Sequence, residues 1–241
     1  MDIVIKKLDR LHALDPDDHA AIRALPYSVS RFKAQQRIVG TGDIPSTCPI
    51  LLDGFAFRSN LVTNGNRQIF SFHVPGDLLG IQQLSLLHAD HSIHTLTDGE
   101  IATVPLSDLR AMLKQRPAVA EAIRRDVLIE ASIFREWILN IGRRDGATRV
   151  AHMLCEFVTR RVASGSGRLE RFEVPMSQEQ IADATGLTGV HVNRMLKKLG
   201  EMKLIRRINR HYEISNWSAM QRFAGFDPLY LHLGIRNGRV A

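Results

Sequence analysis

The chain has 241 residues, 44% of them hydrophobic and 24% charged, which is the composition of a globular protein with one large or two medium domains. It lacks the roughly 18 consecutive apolar residues that a membrane helix needs and the N-terminal pattern of a signal peptide, so we expect a cytoplasmic protein with no membrane partner. Its two cysteines, Cys48 and Cys155, are too far apart in sequence to indicate a disulfide framework or a zinc motif.

The positive charge lies in the C-terminal part of the chain. Residues 142–241 contain 17 Lys+Arg against 9 Asp+Glu, a net charge of +8, whereas the first 141 residues contain 15 against 16, a net charge of −1. Together they account for the formal net charge of +7. A basic surface binds phosphate backbones by releasing counterions, so the C-terminal part is the candidate for nucleic-acid binding.

The first 28 residues predict two short amphipathic helices. Leu8, Leu11 and Leu14 repeat at a spacing of three, and Asp15-Pro16 is a typical helix start. From Ser28 to Ser107, short apolar or alternating runs are separated by turn signals, which predicts a compact all-β sandwich or barrel. The turn signals are Gly40-Thr41-Gly42-Asp43, Asp53-Gly54, Asn64-Gly65, Pro75-Gly76-Asp77 and Asp98-Gly99.

One hairpin in this region is predicted in detail. The alternating runs at residues 55–61 and 68–74 flank Asn64-Gly65. This dipeptide favours a two-residue turn of type I′, because both of its residues tolerate a positive φ.

Histidines are concentrated in the same β-rich region. His88, His91 and His94 follow at three-residue spacing, and His73 lies on a nearby predicted strand. On a helix they would lie close enough to share a metal or a haem iron. The apolar alternation from Ser92 onward instead indicates a strand, on which His91 and His94 face opposite ways. We therefore expect solvated loop histidines and neither a metal nor a haem site.

Residues 117–143 predict one long helix. Six of its apolar residues follow alternating steps of three and four, which is the seam of a coiled coil. They are Ile123, Val127, Ala131, Phe134, Ile138 and Ile141. Leu128, Ile133 and Trp137 lie off the seam, where they could pack on the barrel. Arg143-Arg144-Asp145-Gly146 then breaks the helix and is the expected hinge.

Residues 175–205 predict two short helices with a glycine turn between them. Ser177 and Gln180 have the spacing of a capping box. Gly186 suits the turn, and Thr188 caps the second helix. That helix has an apolar face of Val192, Met195, Leu196 and Leu199, and a polar, basic face of His191, Asn193, Arg194, Lys197 and Lys198. A helix held by one face and presenting cations on the other is what DNA recognition requires.

This C-terminal pattern resembles the winged helix-turn-helix of the Crp/Fnr family, the regulators named for the cyclic-AMP receptor protein. The matching residues are Gln180-Ile181-Ala182, Gly186-Leu187-Thr188, Val192, Arg194, Leu196 and Leu199, and two short strands around Asn209-Arg210 would form the wing. The β-rich region resembles the sensor domain of the same family through Ile50-Leu51-Leu52-Asp53-Gly54, Arg67-Gln68-Ile69 and the run from Val74 to Gly80.

The resemblance implies an α+β fold in three parts. Residues 1–115 would form a cyclic-nucleotide-binding-like β-roll, which is a double-stranded β-helix. Residues 116–144 would form the dimerisation helix and hinge, and residues 145–241 the winged helix-turn-helix domain. The protein would be a homodimeric transcription regulator and not an enzyme, with double-stranded DNA and RNA polymerase as partners. A two-fold dimer matches a pseudo-palindromic operator.

The resemblance also assigns residues to DNA. Arg194 matches the family's arginine that contacts guanine. Members that read the TGTGA-like half-site carry Arg-Glu where this chain has Gly189 and Val190, so we expect a different half-site. The expected DNA-contacting residues are Ser177, Gln178, Thr188, Gly189, Val190, His191, Asn193, Arg194, Lys197, Lys198, Arg207 and Arg210.

The sensor region departs from the pattern of members that bind cyclic AMP. Those members carry a Gly-Glu pair after the Pro-Gly-Asp turn and an Arg-Ser pair some ten residues later. Here Ile81 follows Gly80, and the next stretch contains Asp90 and no arginine before Arg110. A cyclic phosphate needs a cationic partner, so we expect no cyclic AMP binding of the usual kind. No cysteine precedes Cys48, which excludes the family's iron–sulfur cluster. An unidentified small-molecule effector would bind near Gly76, Asp77, Gly80, Gln82, His91 and Ser92.

Two alternatives stay open at the level of sequence. The first is an effector-independent regulator that is controlled by its abundance or by oxidation of a thiol such as Cys48. The second is a metal-dependent enzyme on the barrel, similar to a cupin oxygenase, for which Glu100 is the nearby carboxylate.

Overall fold

The computed structural model describes residues 1–165, 174–208 and 211–233, together with the backbone of residues 235–236 and 239–240. The chain forms two compact units. The N-terminal unit comprises residues 1–59, 72–132 and 232–241, and the C-terminal unit comprises residues 60–71 and 133–231. In the described part of the chain, no helix combines the length and the apolar character that crossing a membrane requires.

The N-terminal unit begins with the two predicted helices, α1 (Asp2–Leu11) and α2 (Pro16–Ala24). The Asp15 carboxylate accepts a hydrogen bond from the Asp18 N–H at 2.7 Å, and the Asp18 carboxylate accepts one from the Asp15 N–H at 3.2 Å. This reciprocal cap starts α2 at the predicted position.

Seven strands follow the helices. They are β1 (Ser28–Phe32), β2 (Arg37–Val39), β3 (Thr47–Asp53), β4 (Ala56–Leu61), β5 (Arg67–His73), β6 (Ser92–Thr95) and β7 (Gly99–Pro105). One sheet has the strand order β1-β7-β3 and the other the order β2-β6-β4-β5. Both sheets contribute to one buried core of Phe32, Val39, Leu51, Ala56, Ile93 and Ile101. The two sheets therefore enclose a common interior, and the predicted β-roll is confirmed.

The turn between β4 and β5 differs from the prediction. Gly65 has a φ of +85°, but Asn64 is not among the residues with a positive φ. The N–H of Val62 donates to the Asn66 carbonyl at 2.9 Å, which closes a longer loop. A type I′ turn needs a positive φ at both central residues, so the prediction of a two-residue type I′ turn is wrong.

Two helices follow the strands, α3 (Leu106–Gln115) and α4 (Pro117–Arg143). The long helix α4 has the predicted bounds. A second core of the N-terminal unit joins α1, α2, β3, β7 and α3 to the first turns of α4, where Val119, Ala122 and Ile123 are buried.

The C-terminal unit contains the predicted helix-turn-helix and the strands of the wing. Its elements are α5 (Gly146–Ala163), α6 (Gln178–Thr185), α7 (Gly189–Glu201), β8 (Ile205–Ile208), β9 (His211–Ile214) and α8 (Trp217–Ala224), and the short strands β10 (Ile235–Arg236) and β11 (Arg239–Val240) follow it in the chain. Asp145 caps α5, because its carboxylate accepts from the N–H groups of Ala147 and Thr148. The predicted turn at Asn209-Arg210 lies outside the described residues.

The end of β4, the loop after it and the first five residues of β5 belong to the C-terminal unit. Arg67 Nε donates to Asp183 Oδ2 on α6 at 2.7 Å, and both side chains are mostly buried. The ring of Phe70 meets that of Phe134 edge to face, with centroids 6.3 Å apart. A β-hairpin is therefore part of the structure that holds the helix-turn-helix.

Candidate DNA-binding site and sensor pocket

The helix-turn-helix has the local geometry that its sequence predicts. The Ser177 hydroxyl accepts from the Gln180 N–H at 3.1 Å, and the Gln180 side-chain carbonyl accepts from the Ser177 N–H at 2.8 Å. Gly186 ends α6 with a φ of +66°, a conformation that glycine adopts without strain. The Thr188 hydroxyl then accepts from the His191 N–H at 3.2 Å and starts α7. Both predicted caps are confirmed.

One face of α7 is buried and the other is exposed. Val192, Leu196 and Leu199 are at most 1% exposed and anchor the helix on its unit. The exposed residues are Gly189, Val190, Asn193, Arg194, Lys197, Lys198, Gly200 and Glu201, and only the last of them is acidic. The first N–H groups of a helix lack intrahelical acceptors, so the positive end of the helix adds to this basic face. Such a surface can hold phosphate oxygens and reach base edges in a major groove.

Some predicted DNA-contacting residues are positioned by neighbours. Asn193 Nδ2 donates to Gln178 Oε1 at 3.3 Å, and Gln178 Nε2 donates to the Tyr212 hydroxyl at 3.4 Å. His191 is half-buried against the start of α5, where a Cβ added to Gly146 would lie 3.2 Å from His191 Nε2. The small residue at 146 therefore makes room for the imidazole.

The wing strands β8 and β9 pair as an antiparallel hairpin. Arg206 Nη2 donates to Glu213 Oε2 at 2.6 Å, so this arginine pairs across the hairpin. Arg207 is exposed. Arg210 lies outside the described residues, and its role in DNA contact stays a prediction.

Arg149 supports the turn of the motif, and the sequence analysis missed it. Its Nη1 donates to the Thr185 carbonyl at 2.7 Å, and its Nη2 donates to the Arg144 carbonyl at 3.0 Å. Asn140 Nδ2 in turn donates to the Arg149 carbonyl at 3.2 Å. One guanidinium therefore ties the end of α6 to the predicted hinge. Its partners are backbone carbonyls, one of them 36 residues away, and no residue spacing signals such a contact.

A buried polar cluster lies beneath the motif on α5. Glu156 accepts from Trp137 Nε1, which lies 3.0 Å from each carboxylate oxygen, and from the Tyr230 hydroxyl at 2.8 Å. Burial raises the pKa of Glu156. The imidazole of His152 stacks on Tyr230, and burial together with the nearby Arg144 lowers the pKa of His152 to about 3. The interior that carries the DNA-binding helices therefore contains an uncharged histidine.

Two of the predicted effector-pocket residues have structural roles. Asp77 is 5% exposed, accepts from Lys7 Nζ at 2.9 Å and lies 3.0 Å from His73 Nδ1. Lys7 Nζ also donates to Asp126 on α4 at 2.6 Å. Burial acts to lower the pKa of Lys7, but the carboxylates of Asp126 and Asp77 raise it above its ordinary value. Gly76 has a φ of +97° and packs beside α1. These residues fasten α1 to the roll and to α4.

Two further predicted pocket residues lie at close contacts between strands and loops. A Cβ added to Gly80 would lie 2.9 Å from Pro49 Cδ, so only glycine fits there. Ser92 Oγ accepts from the Thr41 N–H at 3.1 Å at the edge of the roll.

Arg58 on β4 forms the centre of a polar cluster, and the sequence analysis missed it. It is 3% exposed, and its Nη2 donates to the Leu79 carbonyl at 3.1 Å and lies 3.5 Å from Gln82 Oε1. Its Nη1 forms a short ion pair with Glu130 on α4. Gln82 Nε2 lies 3.1 Å from His91 Nε2, which brings these two predicted pocket residues together. The stretch after the Pro-Gly-Asp turn has no arginine before Arg110, but Arg58 supplies a cation to this cluster from the strand before that turn.

The histidines occupy different surroundings. His88 is exposed, as predicted. His91 is 7% exposed, its Nδ1 lies 2.6 Å from Asp90 Oδ1, and burial lowers its pKa. His94 stacks on an aromatic ring of β4, and His73 is 3% exposed. The prediction of solvated histidines is wrong for His91 and His73, because each packs inside the N-terminal unit. Among the described residues, no group of three potential metal ligands lies close together.

Both cysteines are buried. Cys48 and Cys155 are each 0% exposed, and burial raises the pKa of each thiol to about 12. Reactive cysteines need an accessible thiolate, which burial in apolar surroundings disfavours. The alternative of control by thiol oxidation therefore has no support from either site.

The predicted seam of α4 is partly covered within the chain. Ile123 is 7% exposed and packs in the N-terminal core, so it is unsuited to the seam. Val127 and Ile138 are 44% and 73% exposed. Leu128, predicted to pack on the barrel, is 53% exposed instead. The half-buried members are Ala131, Phe134 and Ile141. An exposed apolar stripe of this kind marks an interaction surface.

Two parts of the chain match the models of known domain families. Residues 29–116 match the model of the cyclic nucleotide-binding domain, and residues 148–223 match the model of the Crp-like helix-turn-helix domain. The solved structure of FixK2 from Bradyrhizobium japonicum has a similar fold, with a TM-score of 0.74 and 23% identity, over 83% of this chain and 98% of that chain.

The similar curated proteins are transcription regulators. The nitrogen fixation regulation protein FixK of Bradyrhizobium diazoefficiens is 30% identical over 170 residues, which are 70% of each chain. FixK of Rhizobium meliloti is 29% identical over 75% of this chain and 79% of its own length. The transcriptional activator protein FnrL of Cereibacter sphaeroides is 24% identical over 88% of this chain and 86% of its own. With two domains in this order, a capped helix-turn-helix and relatives of this kind, the chain belongs to the Crp/Fnr family of transcriptional regulators.

Proposed function

We propose that this protein is a homodimer that reads a pseudo-palindromic DNA operator with α7 of each protomer. The observation that carries the proposal is the exposed polar and basic face of α7, opposite a buried face and next to a fixed helix start. A two-fold dimer places two such helices in successive major grooves. The net charge of +8 in residues 142–241 supplies affinity for phosphates.

Arg194 is the proposed base-reading residue. It is exposed on α7, and a guanidinium can form a bidentate contact with guanine O6 and N7. Asn193, held by Gln178, and the half-buried His191 are placed beside it, and Val190 is 75% exposed and could contact a thymine methyl. Gly189 offers no side chain, which favours a half-site other than the TGTGA-like one. The proposed phosphate contacts are Ser177, Gln178, Thr188, Lys197, Lys198, Arg207 and Arg210.

The proposed dimer contact is the exposed stripe of α4. Val127, Ala131, Phe134, Ile138 and Ile141 remain in the proposed seam, from which Ile123 is dropped. Ile138→Asp should convert the dimer to a monomer, since a carboxylate would be buried without a partner in the interface. Light scattering at micromolar concentration measures this. Ile44→Asp, at a residue 61% exposed on a loop of the N-terminal unit, is the matched control and should leave the dimer intact. A dimeric Ile138→Asp variant would place the interface elsewhere.

The effector is proposed to be a small molecule other than cyclic AMP, with no iron–sulfur, haem or metal cofactor. The Gly-Glu and Arg-Ser pairs of cyclic-AMP-binding members have no counterparts here, and Asp90 lies beside His91 at the pocket. Relatives described as a probable transcriptional activator and as the activator FnrL favour RNA polymerase as a further partner.

Fluorescence anisotropy tests the whole proposal. The purified protein is titrated into labelled duplex from its own upstream region at fixed salt, with and without cyclic AMP, beside a scrambled duplex of the same length. We expect specific binding that cyclic AMP does not change. Binding that requires the nucleotide would contradict the proposed effector, and equal affinity for both duplexes in both conditions would contradict sequence-specific recognition.

A further inference from the structure

The sensor unit contains one buried cation in a polar surrounding. Within the described residues, Arg58 is the only arginine or lysine that is less than a tenth exposed. Its Nη2 is held by the Leu79 carbonyl, and its Nη1 is paired with Glu130. Its Nε is buried and has no hydrogen-bond partner. The guanidinium is thus fixed in orientation while part of its donor capacity is unused.

The carboxylate that neutralises Arg58 comes from a mostly buried but accessible side chain. The side chain of Glu130 is 26% exposed, whereas that of Arg58 is 3% exposed. Solvent therefore reaches the carboxylate side of the pair and not the guanidinium side. A change in the side-chain rotamers of Glu130 would separate its carboxylate from Arg58 without moving a strand of the roll. A buried guanidinium left without an anion is costly, so another anion would be strongly favoured in that place.

The neighbours of Arg58 limit the charge of such an anion. Gln82 is uncharged, and His91 is held in its neutral form because burial and then Arg58 itself lower its pKa. Asp90, bonded to His91, adds a negative charge nearby. One guanidinium with amide and imidazole groups around it suits a single carboxylate better than a doubly charged phosphate.

We propose that Arg58 is the anion anchor of the sensor and that Glu130 is an internal ligand, which the carboxylate group of a small effector displaces. This inference rests on the proposed function, because it names the chemical class of the effector. Displacement removes an anchor of α4 on the roll. The same helix carries the exposed stripe proposed for the dimer, so effector binding is read directly by the helix that joins the protomers.

Chemical rescue of the full-length protein tests this site. Glu130→Ala removes the CγH2–COO− group of the internal ligand and leaves room for acetate, which has the same size and charge as the missing group. Sodium acetate should raise the melting temperature of Glu130→Ala by at least about 2 °C above sodium chloride at equal ionic strength. Arg58→Met/Glu130→Ala, which lacks the anchor, should respond equally to both salts. Glu121→Ala removes a carboxylate of the same helix that is similarly exposed, at 27%, and pairs with Arg124 and Arg125; it is the matched control and should do the same.

The outcomes separate the inference from the proposed function. Equal stabilisation by acetate and chloride in Glu130→Ala, or the same gain in the double variant, would overturn the anion anchor. If Glu130→Ala does not yield folded protein, Glu130→Gln keeps the shape of the side chain, and its stabilisation by acetate must also depend on Arg58. The DNA titration of the wild type stands apart from these results. If the protein binds its operator but shows no rescue, the proposed DNA-binding function is supported and the proposed carboxylate effector is contradicted.

Discussion

The helix-turn-helix and the Arg58 cluster are both polar sites on well-packed units, but they are assembled over very different distances along the chain. The caps and turn of the helix-turn-helix join residues three or four positions apart. The Arg58–Glu130 pair joins residues 72 positions apart. A site built from near neighbours is visible in a sequence, because helix-capping chemistry has fixed spacing. A site built across a roll depends on which strands and helices come into contact. No short stretch of the sequence reveals those contacts.

The largest expected effect tests the distant assembly. Arg58→Ala should lower the free energy of unfolding by ~3–5 kcal/mol, because it opens a cavity at a side chain that is 3% exposed and leaves both Glu130 and the Leu79 carbonyl without their partner. Urea denaturation measures this change. Arg58→Met/Glu130→Met, which replaces the pair by apolar side chains, should recover most of the loss. A loss below about 1 kcal/mol in Arg58→Ala would show that the pair is not closed in solution.

Arg194→Ala tests the local assembly. Removing the guanidinium should reduce discrimination between operator and scrambled DNA by ~1–3 kcal/mol, since a bidentate base contact is lost. Anisotropy titrations at fixed salt give both affinities. Lys197→Ala is the control on the same face and should weaken binding to both duplexes alike. If Arg194→Ala discriminates between the two duplexes as well as the wild type does, another residue of α7 must recognise the bases.

His152 makes the C-terminal unit sensitive to acid. Its pKa is about 3 in the folded protein and ordinary when unfolded, so only the unfolded state gains a proton as the pH falls below about 6.5. The folded state should therefore lose about 2 kcal/mol between pH 7 and pH 5 through this residue. His152→Phe, which keeps a ring beside Tyr230, should show a correspondingly smaller pH dependence in urea denaturation. Parallel pH profiles of the two proteins would exclude this origin.

The smallest expected effect concerns the hairpin contact within the C-terminal unit. Arg67→Met, Asp183→Asn and the double variant form a thermodynamic cycle, whose coupling free energy should be about 0.5–1 kcal/mol for this partly buried pair. Thermal unfolding at several urea concentrations gives the free energy of unfolding of each variant, and from these values the coupling free energy. The exposed pair of Lys33 and Asp98 is the control and should show no measurable coupling. If the stability changes of Arg67→Met and Asp183→Asn simply add in the double variant, this ion pair does not hold α6 on the hairpin.

The sequence predicted most of the fold because its signals are local. The caps at Asp15, Ser177 and Thr188 each need only a partner three residues away, and all three are present. The roll follows from alternating runs and turns. The errors arose where tertiary contacts decide. Ile123 fits a coiled-coil repeat, but the core of the N-terminal unit covers it.

The polar cluster around Arg58 was predicted less well, for a physical reason. Gln82 and His91 lie in contact there, and their role in an effector pocket stays a prediction. Arg58 was missed because the cation was sought where the family carries it. Strand alternation alone gives no signal here, because Ala56 and Phe57, which lie on opposite faces of β4, are both fully buried. An arginine on an inward face of a strand requires an anion, and only the structure identifies Glu130.

The hairpin contact also bears on how this protein can be dissected. A fragment that starts at residue 133 would contain the whole helix-turn-helix but would lack residues 60–71, which belong to the same compact unit. It would lose the Arg67 partner of Asp183 and the ring that packs on Phe134. The DNA-binding half is therefore not a cassette that can be exchanged between regulators by cutting at the long helix. A functional chimera would have to carry the matching hairpin as well.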